Sequence, residues 1–171
     1  TINFKNWDEE INLIHSIYND AWEKNWGFVP MTKDEFEHMG KELKSIIPAE
    51  SIIIAYTEGI PAGFLISIPD FNYALRHTNG KLFPTGLLKL LYYKNKINEG
   101  RVITMGISQK YRRRGLDIFL IQEAIKLNGD KYYKNGCELS WILEDNNLMN
   151  KILTKSGLKH YKTYRIFEKN I

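Results

Sequence analysis

Between Arg101 and Leu143 the chain passes from strand to helix and back to strand. RVITMGI (101–107) is a β-branched, apolar run, and after the turn SQKYRRR a strongly apolar helical stretch (115–128) follows, closed near Gly129. ELSWIL (138–143) is strand-like again. That order calls for a crossover connection, and so for parallel pairing somewhere in the sheet. Upstream, Glu58-Gly59 separates SIIIAY (51–56) from IPAGFLISI (60–68), which suits a tight hairpin turn, and a hairpin is antiparallel. One chain holding both must build a mixed sheet.

The remaining elements fit one α/β domain. Residues 6–24 place Ile11, Ile14, Ile17 and Ala21 on a helical face, with Tyr18 and Trp22 beside them and Asn6 and Glu9 spaced as a capping box. A second helix starts at the capping box Thr32–Glu35, carries Phe36, Met39, Leu43 and Ile46 on one face, and is ended by Pro48. Residues 147–156 read as a helix stopped by Gly157, and HYKTYRIFE (160–168) alternates as a last strand, giving a second strand–helix–strand passage. At 171 residues, with 43% apolar and 26% charged, the chain can bury a sizeable core and shows no repeat or linker, so 1–171 is expected to be a single domain. It lacks an initiator methionine, consistent with removal of that residue or with excision from a longer protein.

The net charge of +4, from 24 basic and 20 acidic residues, allows an anionic ligand without demanding nucleic acid. Cys137 is the sole cysteine, which excludes an internal disulfide and fits a reducing, cytoplasmic setting; a half-buried structural thiol is expected. No stretch approaches the ~18 apolar residues of a membrane span, and no signal pattern opens the chain. His15, His38, His77 and His160 are scattered without ligand spacing, so no metal is expected.

The densest charge is in YRRRGLDIFL (111–120). A strand, a short turn and a helix whose first turn contains glycine form a general anion seat, because free backbone N–H groups point out of the helix start. Gly115 admits close backbone approach, and Arg112, Arg113 and Arg114 add charged donors. The competing reading is a solvated, Arg-rich turn.

VITMGISQKYRRRGLDIFLIQEAI resembles motif A of the GNAT superfamily of acyl-CoA-dependent N-acyltransferases, with Arg112-x-x-Gly115-x-Asp117 in register with its Arg/Gln-x-x-Gly-x-Gly/Ala signature. ELSWILEDNNLMNKILTKSGLKHY is similar to the family's next segment, a strand, an Asn (Asn146), a helix and the pair Gly157-Leu158. The two opening helices and the hairpin follow the family's order. The resemblance implies a mixed, mostly antiparallel sheet with helices on both faces. It also implies an acetyl-CoA or longer acyl-CoA co-substrate and an amine acceptor that attacks the thioester directly. Amides of Arg113, Arg114, Gly115, Leu116 and Asp117 would hold the pyrophosphate, with Arg112 beside them. Met105 and Ile107, at the end of strand 101–107, would pair with the pantetheine arm, and Asn146 completes the implied cofactor set. The acyl group would sit where the strand splays from 138–143.

Two positions depart from the family pattern. Asp117 stands where the family has Gly or Ala; folded inward it competes with the cofactor for the helix amides, and pointing outward it is an ordinary first-turn acid. Leu153 falls on the family's usual general-acid tyrosine and cannot return a proton to a thiolate. Glu144 as base and Tyr161 or Tyr164 as acid are the substitutes within reach in sequence, against plain roles as a solvated strand end and a packing surface.

About thirty residues, 69–100, separate the hairpin from strand 101–107, where family members often have a short turn. They include LFPTGLLKLLYYKNK, an apolar helix with lysines at 89, 94 and 96. Three readings stand open: packing on the sheet or on a partner domain; a lid over the acceptor site, walled together with Trp22, Trp26 and Phe28; and a peripheral membrane contact through 84–96. For the chain as a whole, a partner domain or a homodimer is among the expected partners. An acyl-CoA-dependent N-acyltransferase is expected, and the alternative is a non-catalytic GNAT-fold binding or packing module.

Overall fold

Two hydrophobic clusters lie on opposite faces of one sheet in the computed structural model, which describes residues 1–25, 27–165 and 167–169. Helix α1 (Trp7–Trp22) is followed by α2 (Lys33–Lys44), whose Thr32–Glu35 capping box forms in both directions. Strands β1 (Ile52–Thr57) and β2 (Ile60–Pro69) make the hairpin, turned at Glu58 and Gly59 with φ of 53° and 77°. Both angles are left-handed, as a two-residue hairpin turn of type I′ requires. The insertion contributes α3 (Asn72–Leu75) and α4 (Gly86–Lys94). Then come β3 (Glu99–Ile107), α5 (Leu116–Asn128), β4 (Gly136–Leu139) and α6 (Asn147–Lys155).

The sheet order is β1-β2-β3-β4; the first two pairings are antiparallel, and β3 and β4 run parallel through the α5 crossover. Alternation sorts the side chains. Ile52, Phe64 and Ile66 meet Ile11, Ile14, Ile17 and Phe36 of α1 and α2, while Ile53, Ala55 and Leu65 meet Leu120 and Ala124 of α5. Each face buries what an isolated amphipathic helix would leave in water. Opposite β2, β3 carries one residue too many: Ile66 faces Thr104 and Ser67 faces Val102, so Ile103 is bulged. A bulge bends its strand and sharpens its twist, and this one lies just upstream of Met105 and Ile107.

The chain divides into two compact units, Thr1–Ser140 and a second beginning at Trp141. The first holds the sheet and both clusters. No described residue of the second is buried.

Four local expectations are corrected. Asn6 makes no side-chain cap, since its own backbone (φ −105°, ψ 31°) continues from a preceding 3-10 turn; Asn3 gives its N–H to Glu10 instead, at 2.8 Å. Helix α2 ends at Lys44, ahead of Pro48. The expected strand 138–143 stops at Leu139, where its pairing with β3 ends. The described residues of 160–168 form no strand: they are exposed, and among the described residues the second unit holds no strand for them to pair with, so the second strand–helix–strand passage is not seen there.

Candidate functional site

The turn after β3 is fastened to the C-terminal end of α1. Ser108 Oγ and the Gln109 backbone N–H both donate to Asp20 Oδ2, at 2.5 and 2.8 Å. The Gln109 side chain donates to the Asp20 carbonyl at 3.0 Å and to Glu23 at 2.9 Å. Arg112 donates to the Ala21 carbonyl, and its Nε lies 3.4 Å from the Ile107 carbonyl. This guanidinium therefore satisfies a helix-end acceptor and fixes the turn. Gly106 belongs to the same joint: a Cβ there would fall 2.7 Å from the Phe64 ring and 3.1 Å from Ala21.

With the turn held, its amides are left open. Arg113 and Gly115 both take left-handed backbone, φ 61° and 77°. The first backbone bond of α5 runs from Phe119 N–H to the Gly115 carbonyl at 3.1 Å. Among the described residues, the N–H groups of Arg113, Arg114, Gly115, Leu116 and Asp117 meet no protein acceptor. Successive unpaired amides at a helix start form a concavity of positive potential suited to an anion. Asp117 turns its carboxylate onto the next amide, Ile118 N–H, at 2.9 Å. It consumes a donor just beyond the five and leaves them unfilled. Arg113 and Arg114 are exposed, with Arg114 lying 5.4 Å from the Tyr111 ring.

The expected pantetheine strand is also distinct. Strand β4 pairs only with Glu99–Val102, and no other strand among the described residues lies along the outer side of Ile103–Ile107. Met105 and Ile107 pack half-buried against the α5 cluster. Arg101 and Glu138, side by side in the register, form an ion pair at 2.7 Å where the pairing holds.

In the second unit, Asn146 is the N-cap of α6, accepting the Met149 N–H at 3.3 Å. Glu144 is paired with Arg165, one contact being 3.1 Å, and the hydrogen bond from that guanidinium holds its carboxyl below the usual carboxylate range. An ionised, paired carboxylate is a weak base. Tyr164 lies 6.0 Å from Trp141, ring to ring, and Tyr161 is 65% exposed. Leu153 is half-buried on α6.

At the end of α1, Tyr18 stacks on Trp22 at 5.7 Å and meets Phe28 edge-on at 5.6 Å, forming an aromatic cluster; Trp26, expected beside them, lies outside the described residues. Helix α4 packs on α3 and on the 3-10 turn Arg76–Thr78, where His77 stacks on Tyr93 at 3.6 Å. Asp20, Ser108 and Gln109 are members of this region that sequence reasoning missed; their contacts span 88 and 89 residues and carry no local signal.

The architecture has solved counterparts. An aminoglycoside N-acetyltransferase, AAC(6')-Iy, in complex with CoA superposes with a TM-score of 0.61 at 15% identity, covering 95% of this chain and 90% of that one. The chain has the GNAT fold. An N-acetyltransferase from Staphylococcus aureus Mu50 shows the same GNAT architecture, with a TM-score of 0.61 at 18% identity over 91% of this chain and 81% of that one. By sequence, no family model matches. The chain is 38% identical over 175 residues to Protein YghO of Escherichia coli K12, which covers 99% of this chain. It is 34% identical over 174 residues to the bacterial ceramide synthase of Caulobacter vibrioides, which covers 98% of it. In both cases the chain spans 45% of the relative's length, so its GNAT fold corresponds to rather less than half of those proteins.

Proposed function

We propose that this chain is the acyl-transferring part of an acyl-CoA-dependent N-acyltransferase whose acceptor is the amine of a hydrophobic molecule. The open run of five amides from Arg113 to Asp117 carries this reading. It offers a pyrophosphate the donors it needs, beside exposed arginines, at the start of a helix whose dipole favours an anion. Edge groups of β3 beyond Val102 are available to an amide-bearing pantetheine arm in the manner of an added strand. The acceptor nitrogen would attack the thioester carbonyl carbon; the C–S bond breaks, the amide forms, and the amine's proton leaves through solvent or a nearby group as the thiolate is protonated. The kinship with a protein named a ceramide synthase supports a long-chain amine as acceptor, since a ceramide is a fatty amide of such an amine. The aromatic cluster of Tyr18, Trp22 and Phe28 supplies apolar surface near the turn's anchor on α1.

A non-catalytic module is favoured by one observation, the leucine at position 153, which cannot donate a proton. Calorimetric titration of the chain with acetyl-CoA and with a longer acyl-CoA tests the seat. Binding in the micromolar range is expected, and Asp117→Gly should tighten it by roughly three- to tenfold by removing a negative charge from the first helical turn. Failure of both proteins to bind either thioester would sink the proposal. Free thiol released with a long-chain amine then separates enzyme from module, because a module that binds acyl-CoA releases none.

A further inference from the structure

The α3–α4 insertion bears an unusual surface. Phe83 is 78% exposed, Leu88 68%, Tyr92 58% and Leu91 55%. Leu88, Leu91 and Tyr92 follow i, i+3, i+4 spacing, so they form one stripe along α4, with the opposite side turned to α3 and the 3-10 turn after it. Large side chains this exposed along one helix face, with Phe83 exposed just ahead of the helix, mark a contact surface.

The charge around the stripe says what kind. From residue 71 to residue 98 there is no Asp or Glu, while Arg76, Lys81, Lys89, Lys94 and Lys96 are all cationic. Without these five, the chain has 19 basic against 20 acidic residues, so the acid-free stretch 71–98 accounts for the net positive charge. Among the described residues, none of the five makes an ion pair. Lys96 instead lies 4.2 Å from the Tyr92 ring and donates to its hydroxyl at 2.7 Å. Lysine is depleted where two proteins meet. It is favoured beside apolar residues on helices that lie in a lipid interface, where its stem is buried and its ammonium meets the headgroups.

We propose that the outward face of this insertion, the α4 stripe with Phe83 and the flanking lysines, seats on the surface of an anionic lipid bilayer. The apolar side chains enter the headgroup–acyl boundary while Lys89 and Lys94 meet lipid phosphates. This contact is independent of acyl transfer, because seating on lipid requires neither acyl-CoA nor an amine.

Flotation with vesicles tests it, using phosphatidylcholine alone and phosphatidylcholine with about a third phosphatidylglycerol. Three forms of the chain are compared: unaltered, Leu88→Ser with Leu91→Ser, and Lys89→Glu with Lys94→Glu. The four substituted positions are all exposed on α4, and circular dichroism verifies that each variant is folded. The unaltered chain should float with the anionic vesicles and lose binding in high salt, and each double variant should bind them at least roughly tenfold more weakly. Absence of flotation with anionic vesicles, or flotation that neither double variant weakens, overturns the proposal. A self-associated chain that ignores vesicles and dissociates with Leu88→Ser and Leu91→Ser would assign the stripe to a second copy, which also overturns it.

Discussion

Single residues in this chain are informative where their partners are close in sequence. Glu58-Gly59 turns a hairpin and Thr32–Glu35 caps a helix because each device closes within four residues, and composition alone announces it. Arg112 shows the opposite case. In sequence it reads as a phosphate donor, yet its guanidinium reaches a carbonyl 91 residues away. Asp117 is intermediate: the sequence allows it an inward or an outward carboxylate, and in the folded chain the carboxylate takes the Ile118 amide. Cys137 allows a quantitative expectation. Burial pushes its thiol from 9.0 up to about 11, so the folded chain keeps a proton that the unfolded chain gives up. Below pH 9 this difference contributes nothing; between pH 9 and about 11 the unfolded state binds fewer protons, and stability falls as pH rises. The fall is bounded by roughly 1.4 kcal/mol per pH unit. Burial also raises Tyr133, which adds a decline of the same sign above its ordinary value of 10.0. Denaturant midpoints at about pH 8 and pH 10 should therefore converge in Cys137→Ala relative to the unaltered chain.

Among elements, long periodic segments declared themselves and short or solitary ones did not. Helices α1, α2 and α5 and the hairpin follow from apolar spacing. The alternating tail at 160–168 carries a strand's pattern without a strand's partner, and pairing is a property of two segments. How α1 is joined to the turn after β3 was likewise invisible. Asp20 accepts from Ser108 and Gln109 together, and Arg112 closes the same helix end on the Ala21 carbonyl. Asp20→Ala leaves a half-buried hydroxyl and an amide without their acceptor, and should cost about 1–3 kcal/mol in urea unfolding. Acyl-CoA affinity should weaken in the same variant, because the five open amides are shaped by a turn whose anchor has gone. An unchanged affinity would show that the turn holds its form without α1.

For the molecule as a whole, the legible facts were the mixed sheet, helices on both its faces and an inserted helical segment. The GNAT fold follows from the order of these parts more than from any one motif. Its net charge of +4 also has a kinetic consequence for a polyanionic ligand. Stopped-flow association with acyl-CoA should slow by roughly three- to tenfold between about 0.05 and 0.5 M salt, with dissociation far less affected. An on-rate indifferent to salt would place the attraction in the seat alone.

The short β4 has an implication of another kind. By stopping at Leu139 it leaves the outer side of Ile103–Ile107 without a neighbouring strand among the described residues. A bare edge is a template for any passing strand, and newly made copies crowded together are the nearest source of one. A ligand lying along that edge would shield it, and by mass action would also deepen the native well. On the proposed function that ligand is the acyl-CoA, whose pantetheine arm would then oppose strand addition at the edge as well as deliver the acyl group.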